Sequence, residues 1–282
     1  MMSYKIHHLN CATLCPMGAK LINGIGSYFE PAKMVCHCLL IETNGGLVLI
    51  DTGLGTNDIA RPKQMGWVFN TLVKPKLDVE ETAIYQIQKL GFKKEDIKHI
   101  VLTHLHVDHA GGISDFPNAK VHVIKKEYNQ VVGNKKLKLG YVAEQFQHYP
   151  DWCVHSMTGE KWNGFNCVKT FEPEIQDILL VPLHGHTAGH TGVFIPSEEG
   201  NVFHCGDAYF DHNVISKSYK EEPLGVKIFQ GMVDYNTSAR IRNQIRLTEL
   251  FKKQKMNMRF ICSHDHNEFE YCRCGKNPND IN

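Results

Sequence analysis

The residues best suited to chemistry lie in one stretch, Thr103-His104-Leu105-His106-Val107-Asp108-His109-Ala110-Gly111-Gly112. It gathers three imidazoles and a carboxylate within six positions. Imidazole nitrogen with carboxylate oxygen is a donor set for zinc, and equally for iron or manganese. The stretch follows an apolar run at 97–102. On an extended segment alternate side chains share a face, so His104, His106 and Asp108 point one way and the following turn swings His109 into the same space. Gly111 and Gly112 let that turn adopt backbone angles closed to other residues. A polar loop with incidental histidines is the alternative, and four donors at this spacing argue against it. The stretch reads as a metal site.

Such a site needs a frame, and the hydrophobic pattern supplies one. Strands are expected at 4–9, 35–42 and 47–51, the last two joined at Asn44-Gly45, a hairpin signal. Asp51-Thr52-Gly53 ends that hairpin. Asp78 caps a helix, with Glu81 completing a capping box, Ala83, Ile84, Ile87 and Leu90 at helical spacing, and Gly91 closing it. A strand at 96–102 delivers the histidine cluster, and another follows at 120–124. A strand at 178–183 leads into His184-Gly185-His186-Thr187-Ala188-Gly189-His190; strands at 192–196 and 201–206 come next, with Asp207 after the second. A long amphipathic helix spans 238–255, with Ile241, Ile245, Leu247 and Leu250 on its apolar side. The last strand, 259–262, ends in Ser263-His264-Asp265. Two segments lack a period. The first, 54–77 with Met65, Trp67 and Phe69, is either a lid or core packing. The second, 125–171, is read as helical insertion plus loop; its aromatics Tyr128, Tyr141, Phe146, Tyr149, Trp152, Trp162 and Phe165 either wall a substrate pocket or cover the core. No repeat or linker interrupts the chain, so one domain over 1–282 is expected, two sheets with helices outside.

With 282 residues and 42% apolar content the chain can bury a full core. A formal net charge of +1 leaves no basic field for nucleic acid. No apolar run approaches membrane-spanning length, and residues 1–10 are too short and polar for a signal peptide. Ten cysteines scattered through expected strands point to reduced thiols and a cytoplasmic protein. Cys272-Arg273-Cys274 is too tight for a zinc knuckle and reads as a mobile tail. The apolar loop around Trp67 and Phe69 is a candidate homodimer contact; an unaltered dimer mass after changing both to Ser would end that idea.

Beyond the first cluster, His186, Asp207 and His264 share one setting: an apolar strand, a small residue, then the donor. Binding loops gather at one edge of a sheet sandwich, so four strand ends carrying His or Asp can converge. Seven ligands divide into two sets of three around one shared carboxylate, the requirement for two metals about 3.5–4 Å apart acting as a hydrolytic clamp. The motifs HLHVDHAGG at 104–112, GHTAGH at 185–190, HCGDA at 204–208, SHD at 263–265 and LIDTG at 49–53 resemble the metallo-β-lactamase-fold hydrolases in order and across nearly the whole chain. The resemblance implies an α/β fold, an αββα four-layer sandwich with the metal site at one edge of the sheets. It implies that His104, His106 and His186 hold one divalent ion, that Asp108, His109 and His264 hold the other, and that Asp207 bridges them. Asp51 and His190 match positions that orient ligands. The ions expected are two Zn2+, with iron, manganese or cobalt compatible.

Departures separate the branches of that family. Flavodiiron oxidoreductases carry Glu where His106 stands; nucleic-acid-processing members bring basic segments; true β-lactamases usually lack the Asp207-type bridge and are exported. The chain is most similar to N-acyl homoserine lactone lactonases. Many of those place a tyrosine three residues after the bridging Asp, where this chain has Phe210, with Tyr209 one residue earlier. The expected function is a dinuclear hydrolase that opens a lactone with a metal-bridging hydroxide. Asp108 would carry a proton to the leaving group, and Tyr209 is a candidate oxyanion donor. A glyoxalase-II-like thioesterase has the same ligands, a sulfur dioxygenase uses one iron on a similar motif, and a non-catalytic zinc module would lack a ligand that is present here. The expected partner is a small-molecule substrate, with neither nucleic acid nor membrane.

Overall fold

Period-two alternation along the strands decides the layering of the computed structural model, which describes residues 3–132, 134, 137–156, 159–169 and 172–281. The first sheet runs, in spatial order, β1 (Lys5–Leu14), β2 (Met34–Thr43), β3 (Gly46–Ile50), β4 (Ile97–Val101), β5 (Lys120–Ile124) and β6 (Asp151–His155). The β1–β2–β3 part is an antiparallel meander, and β3 to β6 are parallel. A small hairpin follows, β7 (Lys161–Trp162) with β8 (Phe165–Asn166). The second sheet contains β9 (Val168–Lys169), β10 (Leu179–Pro182), β11 (Thr191–Ile195), β12 (Asn201–His204) and β13 (Met258–Ile261), ordered β13-β12-β11-β10-β9. Only its β12–β13 pair is parallel.

One face of each sheet meets the other sheet. Leu39, Ile41, Val48, Ile50 and Val101 pack against Leu180, Val193, Ile195, Val202 and Ile261. The intervening residues point outward to helices. Leu40, Leu49, Ile97 and Ile100 are covered by Ala83 and Ile87 of helix Ala83–Lys89. Phe194, Phe203 and Phe260 are covered by Leu247, Leu250 and Phe251 of helix Thr237–Gln254. Each such fully buried side chain contributes about 1.5–3 kcal/mol. Helix, sheet, sheet, helix is the αββα sandwich expected from the sequence.

Several elements differ from the sequence reading. Asp78 caps a single 3-10 turn, Val79–Glu81, rather than the helix; Thr82 precedes the helix proper. Glu81 is drawn off instead to the Thr13 amide and hydroxyl. The first strand continues past residue 9 to Leu14 through a bulge between Asn10 and Thr13. The 125–171 insertion is not only helix and loop: after helix Lys125–Val131 it supplies β6, which extends the first sheet, and then β7 to β9. Residues 133, 135, 136, 157, 158, 170 and 171 of that insertion lie outside the described residues. The aromatics of the insertion divide between its two expected roles, except Tyr149, which is exposed and takes neither. Tyr128, Phe146 and Trp152 pack on the first sheet, Trp162 and Phe165 on the second, and Tyr141 reaches the site. The Cys272-Arg273-Cys274 stretch is not a tail: Cys272 is buried on helix His266–Arg273 against the inter-sheet core, while Arg273 and Cys274 are exposed. All ten cysteines are unbridged. Among the described residues no helix is long and apolar enough to cross a membrane.

Candidate metal centre

Four strand ends deliver the donors to one edge of the sandwich. The loop after β4 carries His104, His106, Asp108 and His109; β10 leads to His186, β12 to Asp207 and β13 to His264. The first loop does not stay extended as the spacing predicted. It turns into a short helix, Val107–Ala110, with His106 at its N-cap. Asp108 and His109 therefore reach the site from successive positions of a helical turn rather than by strand alternation. Gly111 is needed for a different reason than the one the sequence offered. Its φ of −60° is ordinary, but a Cβ there would lie 2.1 Å from Asp58 Oδ2 and 2.8 Å from the Gly53 carbonyl. The loop packs so closely on 53–58 that no side chain fits.

The donors His104, His106 and His186 lie within 4.8 Å of one another, as do those of His104, His109 and Asp207. His186 Nε2 and His106 Nδ1 stand 3.1 Å apart, close to the roughly 3.3 Å edge of a tetrahedron with zinc–nitrogen bonds of about 2.0–2.1 Å. Asp207 sits between the groups. Its Oδ2 is 3.2 Å from both His186 Nε2 and His264 Nε2, and its Oδ1 is 3.3 Å from His109 Nε2. Asp108 Oδ2 is 3.6 Å from His264 Nε2, and its Oδ1 is 3.9 Å from His109 Nε2. Among the described residues, the buried atoms His104 Nε2, His109 Nε2 and Asp207 Oδ1 have no hydrogen-bond partner. Buried polar atoms are rarely left so, because each costs about 1–3 kcal/mol. Their lone pairs converge, and a divalent cation fits that donor set.

Imidazole ligands must be neutral and carboxylates ionised to hold a cation. His104, His106, His186 and Asp207 meet that condition, whereas on His109 and His264 the neighbouring carboxylates outweigh burial and a proton must leave as an ion binds. Burial pushes His104 and His186 well below their ordinary value and brings His106 down to about 3. Burial alone would raise Asp207, but His264, His109 and His186 outweigh it and hold the carboxyl well below the usual range. On His109 burial opposes charge, and the carboxylates of Asp207, Asp108 and Asp51 overcome it, raising that imidazole.

Hydrogen bonds behind the donors aim them. His109 Nδ1 donates to Asp51 Oδ2 at 2.9 Å, and Asp51 also accepts the Thr103 amide and hydroxyl. Asp51 itself is held at a φ of +54°. His264 Nδ1 donates to the Val35 carbonyl at 2.8 Å, which turns Nε2 toward the site. His190 acts on the backbone rather than on an imidazole: its Nδ1 bonds the Leu183 carbonyl and its Nε2 accepts the Asp207 amide at 2.8 Å. Sequence reasoning missed Glu127. This buried carboxylate accepts the Leu105 amide and Tyr141 hydroxyl at one oxygen, and the Thr187 hydroxyl and Gly189 amide at the other. It thereby ties both histidine loops to the insertion. A charged residue on the short helix after β5 was the only signal.

Tyr209 does not take the role expected of it. It is fully buried, its hydroxyl donates to Glu268 at 3.0 Å, and it is absent from the cavity wall. Phe210 faces the site instead, its ring 4.6 Å from that of His264. The donors open onto a cavity of about 600 Å3. Its walls include Met65, Trp67, Phe69 and Leu72 from the 54–77 segment, Leu137, Leu139 and Tyr141 from the insertion, and Val226 and Phe229 from helix Leu224–Val233. Met65 is buried and Trp67 is 75% exposed at the rim, so the 54–77 segment both packs and borders the opening. Gly140 lies flat on His106; a Cβ there would come within 2.6 Å of the ring.

Residues 32–240 match the metallo-beta-lactamase superfamily. The chain belongs to that superfamily. A probable metallo-hydrolase of Mycobacterium tuberculosis is 35% identical over 271 residues, covering 95% of this chain and 83% of that one. An N-acyl homoserine lactonase of Bacillus thuringiensis is 25% identical over 257 residues, covering 89% of this chain and 90% of its own. Among solved structures, an N-acyl homoserine lactone hydrolase with N-hexanoyl-L-homoserine at its catalytic metal centre superposes with a TM-score of 0.71 at 21% identity, covering 96% of this chain and 98% of that one. The shared superfamily makes this chain a metal-dependent hydrolase, and the superposition shows the same fold.

Proposed function

We propose that this hydrolase opens a lactone ring of the N-acyl homoserine lactone kind at a dinuclear centre, on one domain spanning the chain. The observation that carries the reading is the cavity: donors at its floor and apolar side chains on its walls. Such a shape suits a small polar, hydrolysable head with an apolar tail. His104, His106 and His186 would hold one ion and Asp108, His109 and His264 the other, with Asp207 between them. Bound there, two divalent ions, most simply zinc, supply an ionised water as nucleophile and positive charge for the carbonyl oxygen.

The chain's own residues do the rest. The apolar walls seat the tail and exclude water from around the scissile bond. Phe210, in place of the tyrosine common in lactonases, offers a ring face beside His264 and no phenol, so the head is oriented by shape and by the centre itself. Asp108 lines the cavity at the donor set and would pass a proton to the leaving alkoxide. Beyond the donors, Lys138 and Glu144 are the charged residues of the described wall, and Lys138 lies over the Tyr235 ring at 4.2 Å. A thioester on a multiply charged carrier finds little to bind there.

The test is proton release from a panel of acyl homoserine lactones with zinc-reconstituted protein. Ring opening whose KM falls as the acyl chain lengthens is expected. Absence of release at full metal content would remove the lactone reading and leave the hydrolase class standing.

A further inference from the structure

Cys36 lies at the site end of β2, one residue after Val35, whose carbonyl holds His264 Nδ1. Its side chain is 1% exposed. Its Sγ, a carboxylate oxygen of Asp108 and a ring nitrogen of His264 lie within 4.8 Å of one another. It belongs to none of the motifs that carry the family resemblance. Buried cysteine often serves as a small apolar residue, and Cys36 does touch the cluster that includes Ala12, Leu14, Met34 and Val107. That role does not require a thiol beside a carboxylate and an imidazole nitrogen. A sulfur that close to a carboxylate oxygen and an imidazole nitrogen is placed to share a cation with them. His109 Nε2 and Asp207 Oδ1, the orphaned atoms at this half of the centre, point to that cation independently.

We propose that Cys36 is a sulfur ligand of the ion held by Asp108 and His264, an inference that rests on the dinuclear reading above. Zinc–sulfur bonds of about 2.3 Å and zinc–nitrogen bonds of about 2.0–2.1 Å set neighbouring donors roughly 3.5 Å apart, so a small inward movement of the side chain closes the shell. On loading, the sulfur–metal bond forms as the S–H bond breaks, and the proton leaves to solvent. Cys36 is absent from the described cavity wall. The sulfur therefore approaches from the protein side and leaves the substrate side open. A thiolate also biases that half of the centre toward softer ions.

The test uses the full-length protein stripped of metal and reloaded with cobalt(II), whose thiolate complexes absorb strongly in the near ultraviolet while its nitrogen and oxygen complexes show only weak visible bands. The expected result is a near-ultraviolet band that Cys36→Ser abolishes while two cobalt ions and their visible bands remain. Two bound cobalt ions without that band, or a band that survives Cys36→Ser, overturns the proposal and spares the dinuclear reading. Wild-type protein that binds no cobalt overturns both. Cadmium NMR of the wild type needs no variant: a resonance at a sulfur-bound shift supports the proposal, and nitrogen- and oxygen-type shifts alone overturn it.

Discussion

At the scale of single residues, the centre depends on side chains that never face the cavity. Asp51 is the clearest. It accepts three hydrogen bonds, fixes the His109 ring and closes the turn that begins at Thr103. Replacing it with Ala leaves the Thr103 amide and His109 Nδ1 without that acceptor in the interior. Loss of such a supporting partner typically costs 10–100-fold in metal affinity, and the expected result for Asp51→Ala is zinc affinity lower by about that factor in a chelator competition, with the fold retained by circular dichroism. The gathering of the donor side chains and Asp51 at one edge was legible in the sequence because each group of them follows an apolar strand. Tyr209 stands one residue before the position that many lactonases fill with tyrosine, and that offset decides its role: after the 3-10 turn at Gly206–Ala208 its hydroxyl turns to Glu268 while Phe210 takes the cavity. Cys36 carried no signal and Glu127 only that of a charge on a short helix, since a Glu on a helix and a Cys in a strand are ordinary residues until the fold brings their neighbours together.

Among elements, the parallel β3–β4 and β4–β5 pairs of the first sheet and the β12–β13 pair help bring the donor loops to one edge, and their apolar runs made those strands readable. The insertion was harder to read because its contacts are not periodic. It is pinned by Glu127 and by the Val107 amide donating to the Gly140 carbonyl at 2.8 Å. In Glu127→Gln an amide group replaces one acceptor oxygen and faces two donors. One unsatisfied buried pair costs about 1–3 kcal/mol, so a Tm loss of that equivalent is expected in a thermal melt, together with weaker metal binding because both histidine loops lose their shared anchor. An unchanged melt and unchanged metal affinity would show that the four bonds are dispensable.

A second element-level feature is a row of imidazoles across the parallel strands. His99 Nδ1 meets His122 Nε2 at 3.0 Å, and His122 Nδ1 meets His155 Nε2 at 2.9 Å. Burial, then neighbouring His155 and His99, brings His122 down to about 3, and burial lowers His99 and His155 as well. Glu172 opposes the shift on His99 and His155, while Lys120 adds to it on His99 and His122. These groups take up protons on unfolding once the pH is below 6.5, so the stability they confer is complete above that value and declines toward pH 3. His122→Leu should therefore show a shallower fall of Tm between pH 6.5 and pH 4 than the wild type, whatever its absolute Tm. A parallel pair of curves would exclude the row as the source of acid sensitivity.

For the molecule as a whole, the layer order followed from alternation and helix period, which act over short stretches and are read directly. The continuation of the first sheet into β6 was not legible, because Asp151–His155 has a mixed, half-exposed burial pattern and an edge strand needs no apolar run. The shape of the cavity was likewise beyond the sequence. It is assembled from the 54–77 segment, the insertion and helix Leu224–Val233, three regions distant in the chain whose apolar residues meet only after the sandwich has formed.

One arrangement has a mechanical side. His104, His106, Asp108 and His109 hang from the first sheet, whereas His186, Asp207 and His264 hang from the second. Metal placed between them would act as a rivet across the seam at one end of the sandwich, while the apolar interior holds the other end unaided. Stripping the metal should loosen that end alone. Amide hydrogen exchange in 103–112, 184–190 and 206–208 would quicken markedly in the stripped protein, while the inner residues of β2, β3 and β11 would keep their protection. Reloading metal should restore slow exchange on both sides of the seam at once, because neither sheet can be fastened there without the other.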